Sequence, residues 1–271
     1  MKTVIYYFTG TGNSLAAATR IAASLGDTEL VPIAAFRNTA ARLAPGAGRV
    51  GIVCPVYFTG LPAMVAAFAE HLDLSGAEYV FSVVTHGGGG GAAALRQLDG
   101  ILGAKAGRGL DAGFSVGMPG NYILMYGSPA GEKRDRILTA ADAELDAIAG
   151  RIGAGERVTL PYAPLLRLAR AIVYPRFRSR VHGEDRTFTV TEACTSCGTC
   201  ARVCPAENIT MVDGRPVWNH RCELCCGCIH LCPVEAIQAR KATEGRQRYR
   251  NPSVGVAELE RRRGAVSGDE A

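Results

Sequence analysis

Val4-Ile5-Tyr6-Tyr7-Phe8-Thr9-Gly10-Thr11-Gly12-Asn13-Ser14 opens the chain with five apolar residues and then six small or polar ones. A continuous apolar run of this length suits a strand buried on both faces of a parallel sheet. The polar run that follows reads as a turn into a helix, which places Leu15, Ala18, Ala22 and Leu25 on one face. Hydroxyls and backbone N–H groups gathered at a helix N-terminus form an anion cradle. No Lys follows the glycines as a Walker A loop requires, and Leu15 stands where the dinucleotide fingerprint needs its third Gly. What remains is a phosphomonoester pocket that binds through neutral donors.

Working outward, apolar runs at Glu29–Ile33, Val50–Cys54, Tyr79–Val84 and Phe114–Val116 read as further strands. Helical periodicity lies between most of them. Leu61, Val65, Phe68 and Leu72 share a face, as do Leu95, Leu98 and Leu102, and later Leu138, Ala141, Leu145, Ile148 and Ile152. Strand and helix alternating five times over about 150 residues predicts an α/β, doubly wound domain with right-handed crossovers. Its ligand is expected beyond the C-terminal ends of the strands.

The chain has 271 residues, a soft prior for two domains. With 48% apolar and 20% charged residues, neither a disordered nor a collagen-like protein is compatible with the composition. The formal charge is +5; Met1 to Gly155 carries 12 Lys+Arg against 12 Asp+Glu, and Glu156 to Ala271 carries 18 against 13. That modest C-terminal excess suits an acidic protein partner or an anionic surface and is no footprint for nucleic acid. The opening apolar run is too short for a signal peptide, so a cytoplasmic location is expected. Val50 to Ala69 is uncharged over twenty residues, but Pro55, Gly60 and Pro62 divide it into a strand, a turn and a helix start, so no transmembrane segment is expected.

From Pro161 to Arg180 the sequence turns amphipathic, with Leu165, Leu166, Leu168, Ala169, Ile172 and Val173 set against Arg167 and Arg170, and Pro175 is expected to end it. A connector docking between two domains is the plainer reading; a helix lying on a membrane surface is the alternative. The segment from Lys241 onward reads as a polar, partly ordered tail.

Nine of the ten cysteines fall between Cys194 and Cys232, clustering that indicates metal rather than disulfides. Cys194, Cys197, Cys200 and Cys204-Pro205 follow C-x2-C-x2-C-x3-C-P, and Cys222, Cys225, Cys228 and Cys232-Pro233 repeat it 28 residues later. Three thiolates at this spacing wrap one face of a cuboidal cluster, while the Cys before Pro completes the other cluster. One 4Fe-4S cluster therefore takes Cys194, Cys197, Cys200 and Cys232, and the second takes Cys222, Cys225, Cys228 and Cys204. Structural zinc is the rival for isolated C-x2-C pairs, and two complete copies ending in Cys-Pro favour iron–sulfur clusters. Cys226 is surplus, and Cys54 reads as a small buried hydrophobe.

The cysteine region resembles a bacterial-type ferredoxin domain, and the Thr9-Gly10-Thr11-Gly12-Asn13-Ser14 loop after the first strand resembles the flavodoxin family. The latter likeness implies a five-stranded parallel sheet of order 2-1-3-4-5 and FMN, with its phosphate on that loop. It also implies two loops flanking the flavin ring: Pro55-Val56-Tyr57-Phe58-Thr59-Gly60 after strand three, and His86-Gly87-Gly88-Gly89 with Gly90 and Gly91 after strand four. Tyr57 is a candidate for stacking on the ring, with ordinary packing as the plainer role for Tyr57 and Phe58. The second loop is a candidate for hydrogen bonds to the pyrimidine edge; its five glycines suggest either a mobile loop or a slack turn, and His86 reads as incidental. Taken together, the chain resembles the prokaryotic EFR-type ferredoxin family of fused flavodoxin-ferredoxin proteins. Met118-Pro119-Gly120-Asn121-Tyr122-Ile123 and Arg248-Tyr249-Arg250-Asn251-Pro252 share in this likeness; the sequence supplies no mechanism for either, and the first is a candidate to face the flavin or the second domain.

The expected organisation is a flavodoxin-like FMN-binding domain at 1–155, an amphipathic connector at 156–185, a small α+β ferredoxin domain at 186–241 and a polar tail at 242–271. The expected function is electron transfer between a redox partner protein, two 4Fe-4S clusters and FMN, since a flavin handles two electrons and each cluster one. The rivals are a flavin-dependent reductase of a small molecule, which needs positioned acid or base groups, and an iron–sulfur redox sensor. No paired carboxylates and no motif-bound His stand near the loops, so no catalytic residue is assigned.

Overall fold

The computed structural model describes residues 1–161 and 164–261. Its N-terminal half alternates strand and helix: β1 (Thr3–Tyr7), α1 (Asn13–Leu25), β2 (Thr28–Pro32), β3 (Arg49–Pro55), α2 (Ala63–His71), β4 (Tyr79–His86), α3 (Gly91–Lys105), β5 (Ala112–Gly117) and α4 (Gly131–Gly153). The five strands are parallel in the order β2-β1-β3-β4-β5, the flavodoxin-like arrangement. Alternation along β1 explains its continuous apolar run. Val4, Tyr6 and Phe8 face the core that holds Val65, Phe68, Leu95 and Leu98, whereas Ile5 and Tyr7 face Leu15, Ile21, Leu145 and Ile148. Strand order reverses between β1 and β3, where open α/β sheets form their ligand crevice.

The C-terminal half begins with α5 (Pro164–Arg180) and continues through β6 (Phe188–Val190), α6 (Thr199–Arg202), β7 (Ile209–Val212), β8 (Arg215–Trp218), α7 (Gly227–His230), β9 (Ile237–Ala239) and α8 (Val256–Arg261). β6 pairs antiparallel with β9, and β7 with β8 through a turn in which Asp213 and Gly214 both have positive φ. The 28-residue sequence repeat is also a conformational one. Ser196 and Leu224, Gly198 and Cys226, and Glu207 and Glu235 each share a left-handed backbone, with α6 and α7 at matching positions.

One expectation needs correction. Pro175 lies inside α5 and does not end it. Proline in a helix interior costs about 3 kcal/mol, but Tyr174 and Phe177 are buried on one face of this helix, and burying two aromatic side chains contributes about 1.5–3 kcal/mol each. Packing therefore outweighs the local penalty. The ordered part of the expected polar, partly ordered tail packs on the rest of the chain: Tyr249, Asn251, Val254 and Leu259 are buried, with Val254 and Leu259 in the same cluster as Leu15, Leu145 and Ile148 of the N-terminal half. Isolated apolar residues among charges hide this packing in the sequence. Residues 262–271 of the expected tail lie outside the described residues.

The halves share a core. Val203 and Leu231 join the α1/α4 cluster, and Ala63 and Ile123 join the cluster around Ile229 and Ile237. Polar contacts add to this: Arg37 pairs with Glu207, and the buried Glu223 carboxylate accepts the Met64 N–H at 3.0 Å in the first turn of α2. Among the described residues no helix is long and apolar enough to cross a membrane.

Candidate cofactor sites

At the C-terminal ends of β1, β3 and β4 lies a cleft with about 1100 Å³ of empty space, part of it open to solvent. The structure brings the three expected loops together around it: Thr9, Gly10, Thr11, Asn13 and Ser14; Pro55, Val56, Tyr57, Phe58 and Thr59; and His86, Gly87, Gly88 and Gly89. Gly12 and Gly60 belong to the same loops without lining it. Gly12 is the N-cap of α1 in a left-handed conformation and has no side chain to cap the helix, so the first N–H groups of the helix have no intrahelical acceptor. Thr9 Oγ1 accepts the Gly12 N–H at 3.1 Å, and Ser14 Oγ lies 2.8 Å from Thr85 Oγ1. No carboxylate lines the cleft among the described residues.

The second loop is a two-residue turn closed by reciprocal bonds, Tyr57 N–H to Gly60 O at 2.8 Å and Gly60 N–H to Tyr57 O at 2.9 Å. Its central residues Phe58 and Thr59 have φ of 48° and 63°. This is unusual for residues other than Gly, Asn or Asp, and such strain costs about 1–3 kcal/mol per residue. α5 holds the turn in place: Phe177 stacks on Phe58 at 4.8 Å and 23°, and Tyr174 donates its O–H to Leu61 O at 2.8 Å. Tyr57 packs edge-on to Phe8 and Phe177 and at the same time lines the cleft.

The third loop uses the conformational freedom of its glycines. Gly89 and Gly90 have φ of 111° and 87°, and a Cβ on Gly87 would stand 2.5 Å from Gly120 Cα. His86 Nδ1 accepts the Gly89 N–H at 2.9 Å, and burial lowers its pKa, so the ring braces the turn as a neutral group.

The cysteines gather around two cages. Cys194, Cys197, Cys200 and Cys232 line one, and Cys204, Cys222, Cys225 and Cys228 line the other together with Cys226. In each cage the cysteine before proline comes from the opposite repeat. Backbone N–H groups reach the sulfurs of Cys204 from Asn208 at 3.4 Å, of Cys232 from Ala236 at 3.3 Å and of Cys222 from Leu224 at 3.2 Å, contacts that stabilise thiolate charge and tune a cluster's potential. Burial, followed by the neighbouring thiols, pushes Cys222 and Cys228 well up and Cys200 up to about 11. Without a cation these sulfurs would hold their protons. Among the described residues no three His, Cys, Asp or Glu side chains are gathered to hold a single ion. Cys54, by contrast, is fully buried in β3, where burial pushes its thiol up to about 12.

The cleft and the second cage share a wall. Leu224, Cys225 and Cys226 line the cleft, and Cys225 and Cys226 also line the cage. A Cβ on Gly10 would stand 2.5 Å from Cys225 O, so the anion loop touches the cysteine loop backbone to backbone. Met118, Asn121 and Tyr122 of the motif after β5 also line the cleft, on the flavin side that the sequence offered for them; sequence reasoning placed Cys225 only as a cluster ligand and missed Leu224, Phe177 from α5, Met125 and Tyr126. The only signal for Met125 and Tyr126 was the neighbouring Met118–Ile123 motif.

Residues 188–210 match the 4Fe-4S binding domain family. No curated protein matches the chain. Among solved structures, a flavoprotein from Bacteroides uniformis is 19% identical, covering 43% of this chain and 90% of its own at a TM-score of 0.36. A flavoprotein in complex with FMN from Lactobacillus acidophilus is 15% identical, covering 42% and 92% at 0.33. An FMN-dependent NADH-azoreductase in complex with FMN from Bacillus anthracis is 10% identical, covering 56% and 100% at 0.40.

Proposed function

We propose that this chain is an iron–sulfur flavoprotein of electron transfer, holding two 4Fe-4S clusters and FMN, and a member of the EFR-type ferredoxin family. The observation that carries the reading is the shared wall: Cys225 belongs both to the four-cysteine cage and to the cleft. The residues suit the groups. Eight thiols fall into two sets of four, and the cleft combines an anion loop at a helix N-terminus with apolar walls from Val56, Tyr57, Phe58 and Met118.

When bound, the flavin supplies one- and two-electron exchange and each four-thiolate cluster supplies one-electron exchange. The chain's own contribution is placement. Cys222, Cys225, Cys228 and Cys204 would hold one cluster against the cleft, and Cys194, Cys197, Cys200 and Cys232 would hold the other beyond it. Thr9 to Ser14 would take the phosphate, and the rigid turn at Phe58 and Thr59 would fix one side of the ring site and keep water from it. An acidic redox protein is the partner proposed from the C-terminal excess of Arg and Lys, in a cytoplasmic setting that keeps the thiols reduced.

The test is an anaerobic absorbance spectrum with iron, sulfide and flavin counts. About eight iron atoms and one FMN per chain are expected from two cubanes and one flavin site. Iron counts near two with no sulfide overturn the cluster assignment. Failure to take up FMN from solution overturns the flavin assignment. Sustained turnover on a small acceptor, in place of a single oxidation, overturns the carrier role in favour of a reductase.

A further inference from the structure

The two sequence motifs without an evident role meet at the anion loop. Asn121 Nδ2–H donates to Thr11 Oγ1 at 2.6 Å, and a hydroxyl that accepts keeps its own hydrogen to donate elsewhere. From the C-terminal motif, Tyr249 O–H donates to Asn13 Oδ1 at 2.6 Å, Asn251 Nδ2–H donates to the same oxygen at 3.1 Å, and Asn251 N–H donates to Thr11 O at 2.9 Å. Asn13 Nδ2–H in turn donates to Pro119 O at 3.1 Å. The side chain of Asn13, 7% exposed, is thus held by Tyr249 and Asn251, themselves 4% and 2% exposed.

The second motif is itself anchored in the cysteine-bearing half. His230 of α7 accepts the Tyr249 N–H on Nδ1 at 3.1 Å, which sets the tautomer in which Nε2–H donates to Asn121 O at 2.8 Å. At the other end, Asn251 Oδ1 accepts from Ser253 N–H and Oγ–H at 3.0 and 2.7 Å, shaping the turn that lays Val254 against Gly12. A Cβ on Gly12 would stand 3.0 Å from Asn251 Cβ and 3.1 Å from Val254 Cβ. The anion loop is therefore clasped on its outer side by a segment nearly 240 residues away in the chain.

We propose that Tyr249 and Asn251 are positioning residues for the flavin phosphate: by fixing Asn13 and the carbonyl of Thr11 they hold the N–H groups of the Thr9–Ser14 loop in the arrangement that receives it. The inference rests on the FMN reading above. It assigns the 248–252 segment to the flavin site, although these residues do not line the cleft. Because the bonds act only on the phosphate loop, they discriminate between ligands that differ only in the phosphate. Binding of FMN depends on them, and binding of riboflavin does not.

The experiment is an anaerobic fluorescence titration of the flavin-stripped, cluster-loaded full chain with FMN and with riboflavin, with iron content as the control for folding. Tyr249→Phe removes one buried hydrogen bond and should weaken FMN about fivefold. Asn251→Asp keeps the acceptor that shapes the turn, loses the donor to Asn13 and adds a negative charge, and should weaken FMN by more than about tenfold. Riboflavin should bind all three proteins within about twofold. If Tyr249→Phe also loses iron, Asn251→Asp carries the same comparison. FMN constants unchanged in the variants overturn the inference and leave the flavin reading standing, as does an equal loss for both ligands, which marks a merely structural role. An intact chain that binds neither ligand removes the flavin reading and this inference with it.

Discussion

Gly10→Ala is the sharpest test of how the two halves depend on each other. The new Cβ would stand 2.5 Å from Cys225 O and 3.2 Å from Cys225 Cβ. Ordinary contact begins near 3.4 Å, so the loops must part by about 0.9 Å, and the nearest obstacle is backbone that no rotamer change can move. Gly10 does not have a left-handed backbone, so alanine adds no conformational strain and the steric wedge acts alone. Overpacking of this kind costs about 1–3 kcal/mol, equivalent to about a 5- to 150-fold loss in an equilibrium constant. At about 2–4 °C per kcal/mol for a chain of this size, Tm should fall by about 2–12 °C. The assay is thermal unfolding of the cluster-loaded protein together with FMN titration, with Gly88→Ala as control. Gly88 lies in the third cleft loop, and a Cβ there meets nothing within 4 Å. If Gly10→Ala unfolds and binds FMN as the parent does, the shared wall is not a packed contact and the argument for adjacent redox sites fails.

The cages should separate by mutation. Cys197→Ser should reduce iron from about eight to about four atoms per chain and leave FMN affinity unaltered, because Cys197 does not line the cleft, whereas Cys225→Ser should lose iron and weaken FMN together; equal flavin affinity in both would separate the cleft from the second cage. Glu223→Ala leaves the first turn of α2 without its carboxylate acceptor and should cost about 0.5–2 kcal/mol by the usual value of a lost cap, read as a lower midpoint in denaturant with iron content maintained. Tyr174→Phe strands the Leu61 carbonyl and should cost about 1 kcal/mol; a Tm equal to that of the parent would show that α5 does not clamp the Phe58–Thr59 turn.

Much of this molecule is legible from its sequence because the signals are local. A strand buried on both faces must be apolar throughout, as Val4 to Phe8 is, and the 28-residue cysteine repeat carries its own geometry. The length of α5 was not legible, because the penalty at Pro175 is local whereas the compensation from Tyr174 and Phe177 comes from surfaces distant in the chain. The same holds for Cys226. Its position matches Gly198 in the first repeat, and nothing nearby announces that it lines both the cleft and a cage.

Periodicity and spacing by themselves determined the alternation of strand and helix that builds the parallel sheet and the grouping of the cysteines into two repeats, since both patterns are written in residues close together in the chain. Only the tertiary structure decided that Cys225 touches Gly10, that Phe177 stacks beneath Phe58, and that Tyr249 and Asn251 grip Asn13. Hydrogen bonds and steric contacts reach only a few ångströms, and in a folded chain neighbours at that range need not be neighbours in sequence. A motif such as Arg248–Pro252 therefore becomes interpretable only once its partners have been brought to it.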